Sequence, residues 1–366
     1  MPKKIRVGIL FGGRSAEHEI SLQSAKNIID AIDTNKYELV LIGIDKKGRW
    51  HLNEESRFLL PTSGSELPEL PESGENLALI PGRQGEQLVA LSGQQTLGSL
   101  DVIFPVLHGP FGEDGTVQGL LKLGNIPFVG AGVLGSAVAM DKDVTKRLLR
   151  DAGIPVARFI SIDRCSSDKI DFDYARGQLG LPLFIKPANL GSSVGIHRIR
   201  DREGFDLAIR DAFNYDNKIL IEEAINGREI ECSVLGNDNP VASVPGEILP
   251  RHEFYSYEAK YLDENGAVLE IPAKVPQEIS ERIRQTAIKT FRVLCCEGMA
   301  RVDFFLRNDE EIIVNEINTI PGFTRISMYP KLWEASGLPY GELIDKLIAL
   351  AMEKFEREKG LKTDRA

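Results

Sequence analysis

The sequence is poor in the residues that build thiol–metal centres and disulfide frameworks. Its 366 residues include four cysteines, Cys165, Cys232, Cys295 and Cys296. None forms a C-x-x-C pair and no His/Cys cluster has zinc spacing, so the thiols are expected reduced, in a reducing compartment. No apolar stretch approaches the ~20 residues that span a bilayer. The apolar run at residues 5–11 is short, contains Arg6 and lacks an A-x-A-like cleavage site, so it reads as a strand and not as a signal peptide. Basic residues are in deficit: the net charge of −10 argues against a nucleic-acid or anionic-membrane surface while leaving room for a local basic pocket. The dipeptide Gly-Lys never occurs, and the first glycine turn, G-I-L-F-G-G-R-S, lacks the G-x-G-x-x-G spacing of a dinucleotide site, which weakens both a P-loop ATPase and a Rossmann oxidoreductase reading. These absences place the protein in the cytoplasm, with no nucleic-acid or membrane partner.

What is present is ordinary globular composition, 42% hydrophobic and 27% charged, in a chain long enough for two or three domains at ~150 residues each. Apolar strands at residues 5–11, 40–44 and 102–107 alternate with helices, which implies a parallel sheet with ligands at its carboxyl ends. Ser15 is placed to cap the first helix, leaving His18 exposed in its first turn. Residues 54–98, rich in Pro, Gly, Ser and Glu, read as a surface insertion with a small hairpin. Asp141 caps a helix that Gly153 ends. Strands follow at 183–186, 194–199 and 219–222, with a helix at 202–212 and a strand pair bracketing Gly227. Residues 250–262 read as a polar, aromatic loop. Pro276 opens a helix with Ile279, Ile283, Ala287, Phe291 and Leu294 on one face. Strands 301–306 and 311–317 pair antiparallel around Asp309, and a last helix covers 340–355 before a charged tail.

Two segments carry chemistry. At residues 186–195, K-P-A-N-L-G-S-S-V-G, a lysine ends an apolar strand and a small-residue loop follows. Backbone N–H groups there can close on phosphate oxygens while the lysine adds a point charge. Downstream, Asp303 lies in R-V-D and Glu316 and Asn318 in N-E-I-N. Spacing i, i+2 puts Glu316 and Asn318 on one strand face, and antiparallel pairing can bring Asp303 to it. Two carboxylates and an amide oxygen, without His or Cys, suit a hard cation such as Mg²⁺. His108, before a glycine at a strand's carboxyl end, is a substrate-site candidate. Met299, Phe304 and Phe305 read as core or nucleotide-pocket packing.

Taken together these motifs resemble the D-alanine–D-alanine ligases of the ATP-grasp superfamily. The resemblance rests on F-G-G-R-S-A-E-H-E-I-S-L, H-G-P-F-G-E-D-G, M-D-K, the phosphate loop, Y-S-Y-E-A-K-Y, R-V-D and N-E-I-N-T-I-P-G-F-T, in that order along nearly the whole chain. It implies an α/β fold, α+β overall. The implied architecture is an ATP-grasp with an N-terminal Rossmann-like parallel-sheet domain (1–138), a small central α+β domain (139–225) and a C-terminal α+β domain (226–366) expected to carry the omega loop and the metal site. It also implies ATP-dependent ligation of two D-alanines through a D-alanyl phosphate, releasing ADP and phosphate, for peptidoglycan precursor synthesis. By the same resemblance, Lys142, Lys186 and Lys260 contact the ATP phosphates, with Ser192 and Ser193 in the loop over them. Glu222, Glu223, Ile225 and Glu229 surround the adenosine. Asp303, Glu316 and Asn318 hold two Mg²⁺ ions, for which Mn²⁺ can substitute. Glu17 holds the first ammonium, Ser327 the second carboxylate, and Arg301 and the Gly322 N–H the oxyanion. Ser192 and Tyr261 link with Glu17 to fasten the omega loop. D-Alanine and ATP are the small-molecule partners, and a homodimer is implied.

Three other readings compete. A sister ligase taking D-lactate or D-serine second would differ in the omega loop, which here reads E-A-K-Y. A catalytically silent nucleotide-binding regulator would lack part of the metal or oxyanion set, of which this sequence lacks none. A Rossmann dehydrogenase is disfavoured by the first glycine turn.

Overall fold

The computed structural model describes residues 3–53, 70, 75–82, 85, 87–92, 98–192, 194–250 and 267–362. Three sheets organise them.

The first begins with β1 (Ile5–Gly12), flanked in parallel by β2 (Tyr37–Ile44) and β6 (Val102–Val106). Alternation sends Val7, Ile9 and Phe11 to one face and Leu10 to the other. The sheet is not wholly parallel, in contrast to what the alternation of strands and helices implies. β3 (Trp50–Asn53), β4 (Glu75–Leu79) and β5 (Leu88–Ala90) continue it antiparallel from β2. The hairpin expected as a surface insertion is therefore the sheet's outer edge, with Leu77 and Leu88 buried in its core. The short β2–β3 and β4–β5 returns permit antiparallel pairing, whereas a parallel strand needs a long crossover.

One face of this sheet is covered by α1 (His18–Ala31) and by the last helix, α9 (Tyr340–Lys359). Leu22, Ala25 and Ile28 of the first share a buried cluster with Leu343, Ile344, Leu347 and Ile348 of the second. The chain's two ends thus build one core. The last helix runs past residue 355, because Arg357 pairs with Asp238 at 2.7 Å and also reaches Glu297.

Between β6 and the second sheet lie α2 (Thr116–Leu123), α3 (Val133–Met140) and α4 (Lys142–Asp151). Asp141 caps α4, accepting from the Asp143 and Val144 N–H groups at 3.1 Å. The second sheet, in order β7 (Phe159–Asp163), β10 (Lys218–Glu223), β8 (Leu183–Pro187), β9 (His197–Ile199), is antiparallel throughout. α5 (Phe172–Leu179) and α6 (Arg202–Tyr215) cover it.

β11 (Arg228–Gly236) starts the third sheet with β12 (Val241–Ala242), β13 (Gly246–Pro250), β14 (Ala267–Glu270), β15 (Gly298–Arg307) and β16 (Glu311–Asn318), again antiparallel. The strands around Gly227 are not a pair, since β10 bonds to β7 and β8 while β11 bonds to β13 and β15. α7 (Gln277–Val293) lays Ile279, Ile283, Ala287 and Phe291 on the third sheet, and α8 (Met328–Ala335) follows the last strand. The β15–β16 turn uses Asn308 and Asp309 at φ 52° and 57°, the paired left-handed geometry that matches strand twist.

Candidate active site

At the carboxyl end of β1, Gly12 and Gly13 adopt φ 90° and 104°. A Cβ on Gly12 would lie 2.2 Å from the Ile44 carbonyl oxygen, so only glycine lets this turn close against β2. The Gly13 N–H donates to that carbonyl and the Gly12 N–H to Ser21 Oγ, both at 2.7 Å. The tight turn delivers Glu17 to the sheet's carboxyl edge as the residue preceding α1. Ser15 does not cap the helix: its hydroxyl accepts from the Glu17 N–H at 3.1 Å, ahead of the first helical turn. His18 is buried rather than exposed, with Nδ1 2.9 Å from the Gly13 carbonyl, because the turn folds back over it.

The end of β6 meets this corner. Gly109, at φ 76°, takes a left-handed conformation that favours glycine, and a Cβ there would stand 2.9 Å from Glu17 Oε2, displacing that side chain. Glu113 is half-buried beneath, accepting from the Gly109 N–H at 2.7 Å and the Ile320 N–H at 3.3 Å. Burial, and next the charge of Glu17, pushes its carboxyl up to about 8. His108 is buried, with Nδ1 3.0 Å from the Ile320 carbonyl and Nε2 3.3 Å from Ser24 Oγ. Burial depresses its basicity, which keeps the ring neutral with its proton on Nδ1, facing the carbonyl.

The second sheet contributes cations. Lys186 on β8 reaches Glu222 Oε2 on β10 at 2.7 Å, while Lys146 of α4 lies 3.2 Å from Glu222 Oε1. Burial alone would raise the Glu222 carboxyl, but Lys146 and Lys186 outweigh it and hold it below the usual carboxylate range. Burial depresses both Lys142 and Lys146, one helical turn apart on α4. Lys142 of α4 stands 3.9 Å from Glu316 Oε2, joining that helix to the third sheet. Ser192, at φ 52°, donates its hydroxyl to Glu17 Oε1, joining second sheet to first. Glu223 is engaged by Arg158 at 2.7 Å, Ile225 is half-buried in the link to β11, and Glu229 is half-buried on β11.

On the third sheet, register sets Glu231, Asp303 and Glu316 side by side on β11, β15 and β16, and Arg301 opposite Asn318. A β-bulge after Asp303 shifts this register, which re-aims the end of β16. Arg301 clasps Asp303 through two 2.7 Å bonds and reaches Glu231 at 2.8 Å, while Asn318 Nδ2 lies 3.0 Å from Asp303 Oδ2. Among the described residues no three His, Cys, Asp or Glu side chains group as a metal set. The donors Asp303 on β15 and Glu316 and Asn318 on β16 are two carboxylates and an amide, opposed here by Arg301 and Lys142. Beyond them Ser327 Oγ bonds the Thr324 N–H at 3.0 Å and Thr324 Oγ1 at 2.7 Å. A Cβ on Gly322 would fall 2.7 Å from that Oγ.

The structure thus gathers Glu17, His108, Ser192, Lys142, Lys186, Glu222, Arg301, Asp303, Glu316 and Asn318 from three sheets. Ser193 lies outside the described residues, and so do Lys260 and Tyr261 with residues 251–266 around them. Sequence reasoning missed Lys146, Glu231 and Glu113. Lys146 was findable from its four-residue spacing to Lys142, and Glu231 from its alternation with Glu229. Glu113 was visible only as part of a motif. A G-x-G-x-x-G spacing does occur, at residues 130–135, opening α3. It is filled by protein: a Cβ on Gly135 would meet the Cys295 carbonyl oxygen at 2.4 Å, and Gly130 Cα lies 3.0 Å from where one on Gly298 would sit. Those glycines serve close packing and not a dinucleotide.

Two family models match the chain, the N-terminus of D-ala D-ala ligase over residues 6–131 and its C-terminus over residues 148–349. The chain belongs to the D-alanine–D-alanine ligase family. It is 57% identical over 363 residues to the D-alanine–D-alanine ligase of Oceanobacillus iheyensis, covering 99% of each chain. With D-alanine–D-alanine ligase A of Escherichia coli K12 it shares 53% over 361 residues, again 99% of each. Among solved structures, the D-alanine–D-alanine ligase of Coxiella burnetii superposes with TM-score 0.85 at 40% identity, covering 97% of this chain and 96% of that one. The VanG D-Ala:D-Ser ligase of Enterococcus faecalis superposes at 0.84 and 36%, covering 95% and 100%. The ATP-grasp architecture of this ligase family accounts for the arrangement of three sheets around one site. Among the described residues no helix is long and apolar enough to cross a membrane.

Proposed function

We propose that this chain joins two molecules of D-alanine at the expense of ATP, through a D-alanyl phosphate. The observation that carries the reading is the convergence of an acid beside the first sheet, a lysine cluster on α4 and the second sheet, and three oxygen donors on the third, bridged by Ser192 to Glu17 and Lys142 to Glu316.

Glu17 holds the ammonium of the first D-alanine, whose carboxylate then faces the lysines. The carboxylate oxygen attacks the γ-phosphorus of ATP; the bond to ADP breaks and ADP leaves with the electron pair. Lys142 and Lys186, with Lys260, neutralise the phosphates, and Lys146, by sharing Glu222 with Lys186, leaves more of the Lys186 charge for them. Glu222, Glu223, Ile225 and Glu229 flank the adenosine at the link between second and third sheets. The all-oxygen set of Asp303, Glu316 and Asn318 fits two Mg²⁺ ions, which when bound supply further neutralisation of the phosphate charge. Ser327 receives the second D-alanine's carboxylate. Its neutral amine attacks the acyl carbon, the C–O bond to phosphate breaks, phosphate leaves with the pair, and the nitrogen's surplus proton passes to it. Arg301 and the Gly322 N–H stabilise the oxyanion between. Ser192, Ser193 and Tyr261 belong to the closure that excludes water from the acyl phosphate. The product serves peptidoglycan precursor synthesis in the cytoplasm, and the enzyme is read as a homodimer.

The test is release of ADP, phosphate and dipeptide with ATP, Mg²⁺ and a panel of D-alanine, D-serine and D-lactate. D-Alanine-dependent ADP and D-alanyl-D-alanine are expected. AMP and pyrophosphate, or no dependence on D-alanine, would overturn the reading.

A further inference from the structure

The segment at residues 320–323 is short, yet side chains from outside the third sheet hold it at both ends. The Ile320 N–H donates to Glu113 and its carbonyl accepts from His108. The Phe323 N–H donates to Ser24 Oγ at 3.3 Å, and its carbonyl accepts from Asn27 Nδ2 at 3.3 Å and from the Tyr340 hydroxyl at 2.9 Å. The N–H and the carbonyl at each end are therefore both fixed. Between them stand Pro321, which has no N–H, and Gly322. Ser24 also meets His108 Nε2, so the two grips are one connected network. The same Glu113 carboxyl group holds the Gly109 N–H, and Gly109 abuts Glu17.

We propose that Glu113 and His108 are positioning residues that set the Gly322 N–H relative to Glu17 by gripping Ile320. The proposal rests on the reading of Gly322 as an oxyanion donor. It links the first-substrate corner and the oxyanion segment through one carboxyl group, so the two halves of the reaction centre keep a fixed spacing across the junction of first and third sheets. Neither residue needs to touch substrate for this. The step it controls is the second one, attack on the acyl phosphate. If the donor is displaced, the acyl phosphate still forms, but water captures it: the C–O bond to phosphate breaks and D-alanine and phosphate are regenerated without dipeptide.

That partition distinguishes positioning from a general structural role. In the wild type, phosphate released and dipeptide formed should stay near one to one. In Glu113→Gln, which keeps the shape but only one acceptor oxygen, dipeptide formation should fall about 10- to 100-fold, the penalty of a misplacement near 1 Å. Phosphate release should fall less, so the phosphate-to-dipeptide ratio rises several-fold. His108→Ala should do the same, and His108→Asn, whose amide N–H can replace Nδ1–H, should restore the ratio toward one. A ratio unchanged in Glu113→Gln and in His108→Ala, at any overall rate, overturns the proposal. Should His108→Ala fail to fold, Glu113→Gln and His108→Asn carry the same comparison. Absence of D-alanine-dependent ligation in the wild type would instead defeat the functional reading itself, a distinguishable result.

Discussion

Replacing Lys146 by Met removes one charge from a buried triad while keeping the chain's length. Lys146 is 0% exposed and lies 3.2 Å from Glu222 Oε1, and Lys186 holds the other oxygen at 2.7 Å. At an effective dielectric of 20, the lost attraction is roughly 5 kcal/mol gross. Most of that is offset because the ammonium no longer has to be desolvated, and Glu222 keeps Lys186. A net destabilisation of about 2 kcal/mol is expected, below the ~3–5 kcal/mol typical when a buried charge is left with no partner. The functional effect is separate. With Lys146 gone, the carboxylate draws on Lys186 alone, and an incoming phosphate must compete for that ammonium. The KM for ATP should rise about tenfold, roughly 1.4 kcal/mol, with kcat changed far less. Urea denaturation and steady-state kinetics measure the two. A double-mutant cycle with Glu222→Gln decides the cause. On top of Glu222→Gln, Lys146→Met should be neutral or stabilising, because it relieves two buried like charges. Additivity within about 0.5 kcal/mol would refute the coupling, as would an unchanged KM for ATP.

Glu316→Gln removes a charged ligand in a nearly isosteric way, and its partner Lys142 is 3.9 Å away; folding should survive while turnover falls at least ~100-fold, and near-normal turnover at saturating Mg²⁺ would count against the metal assignment. Lys354 is buried with Nζ on the Gly130 carbonyl at 2.7 Å and 4.3 Å from the Phe128 ring centroid. Burial depresses it to about 8 from its ordinary 10.5. Between those values the unfolded chain binds more protons, so this residue's penalty is full below pH 8 and is relieved as pH rises toward 10.5, by about 3 kcal/mol. The stability of wild type relative to Lys354→Met should therefore grow across that window, measured by denaturant titration at each pH; a flat difference would show that Lys354 does not titrate there.

Much of this protein is written locally. Glycine at positions 12 and 13, Asp141 before α4, the apolar face of α7 and the alternation along β15 and β16 follow from short-range sterics, hydrogen bonding and periodicity. So do the candidate residues, because phosphate and hard-cation chemistry needs lysines and oxygen donors at strand ends. What the sequence could not decide is which distant segments share a surface. That α9 closes the core over β1, that β10 and β11 part into different sheets, and that the hairpin at residues 75–90 extends the first sheet are outcomes of long-range burial. Local patterning is equally satisfied by other pairings. The burial of His18 is not local either, because it depends on how the loop at residues 13–15 folds over it. The grip of Glu113 and His108 on Ile320 joins segments far apart in the chain, and only tertiary packing could bring a carboxyl group beneath one turn to the backbone of another.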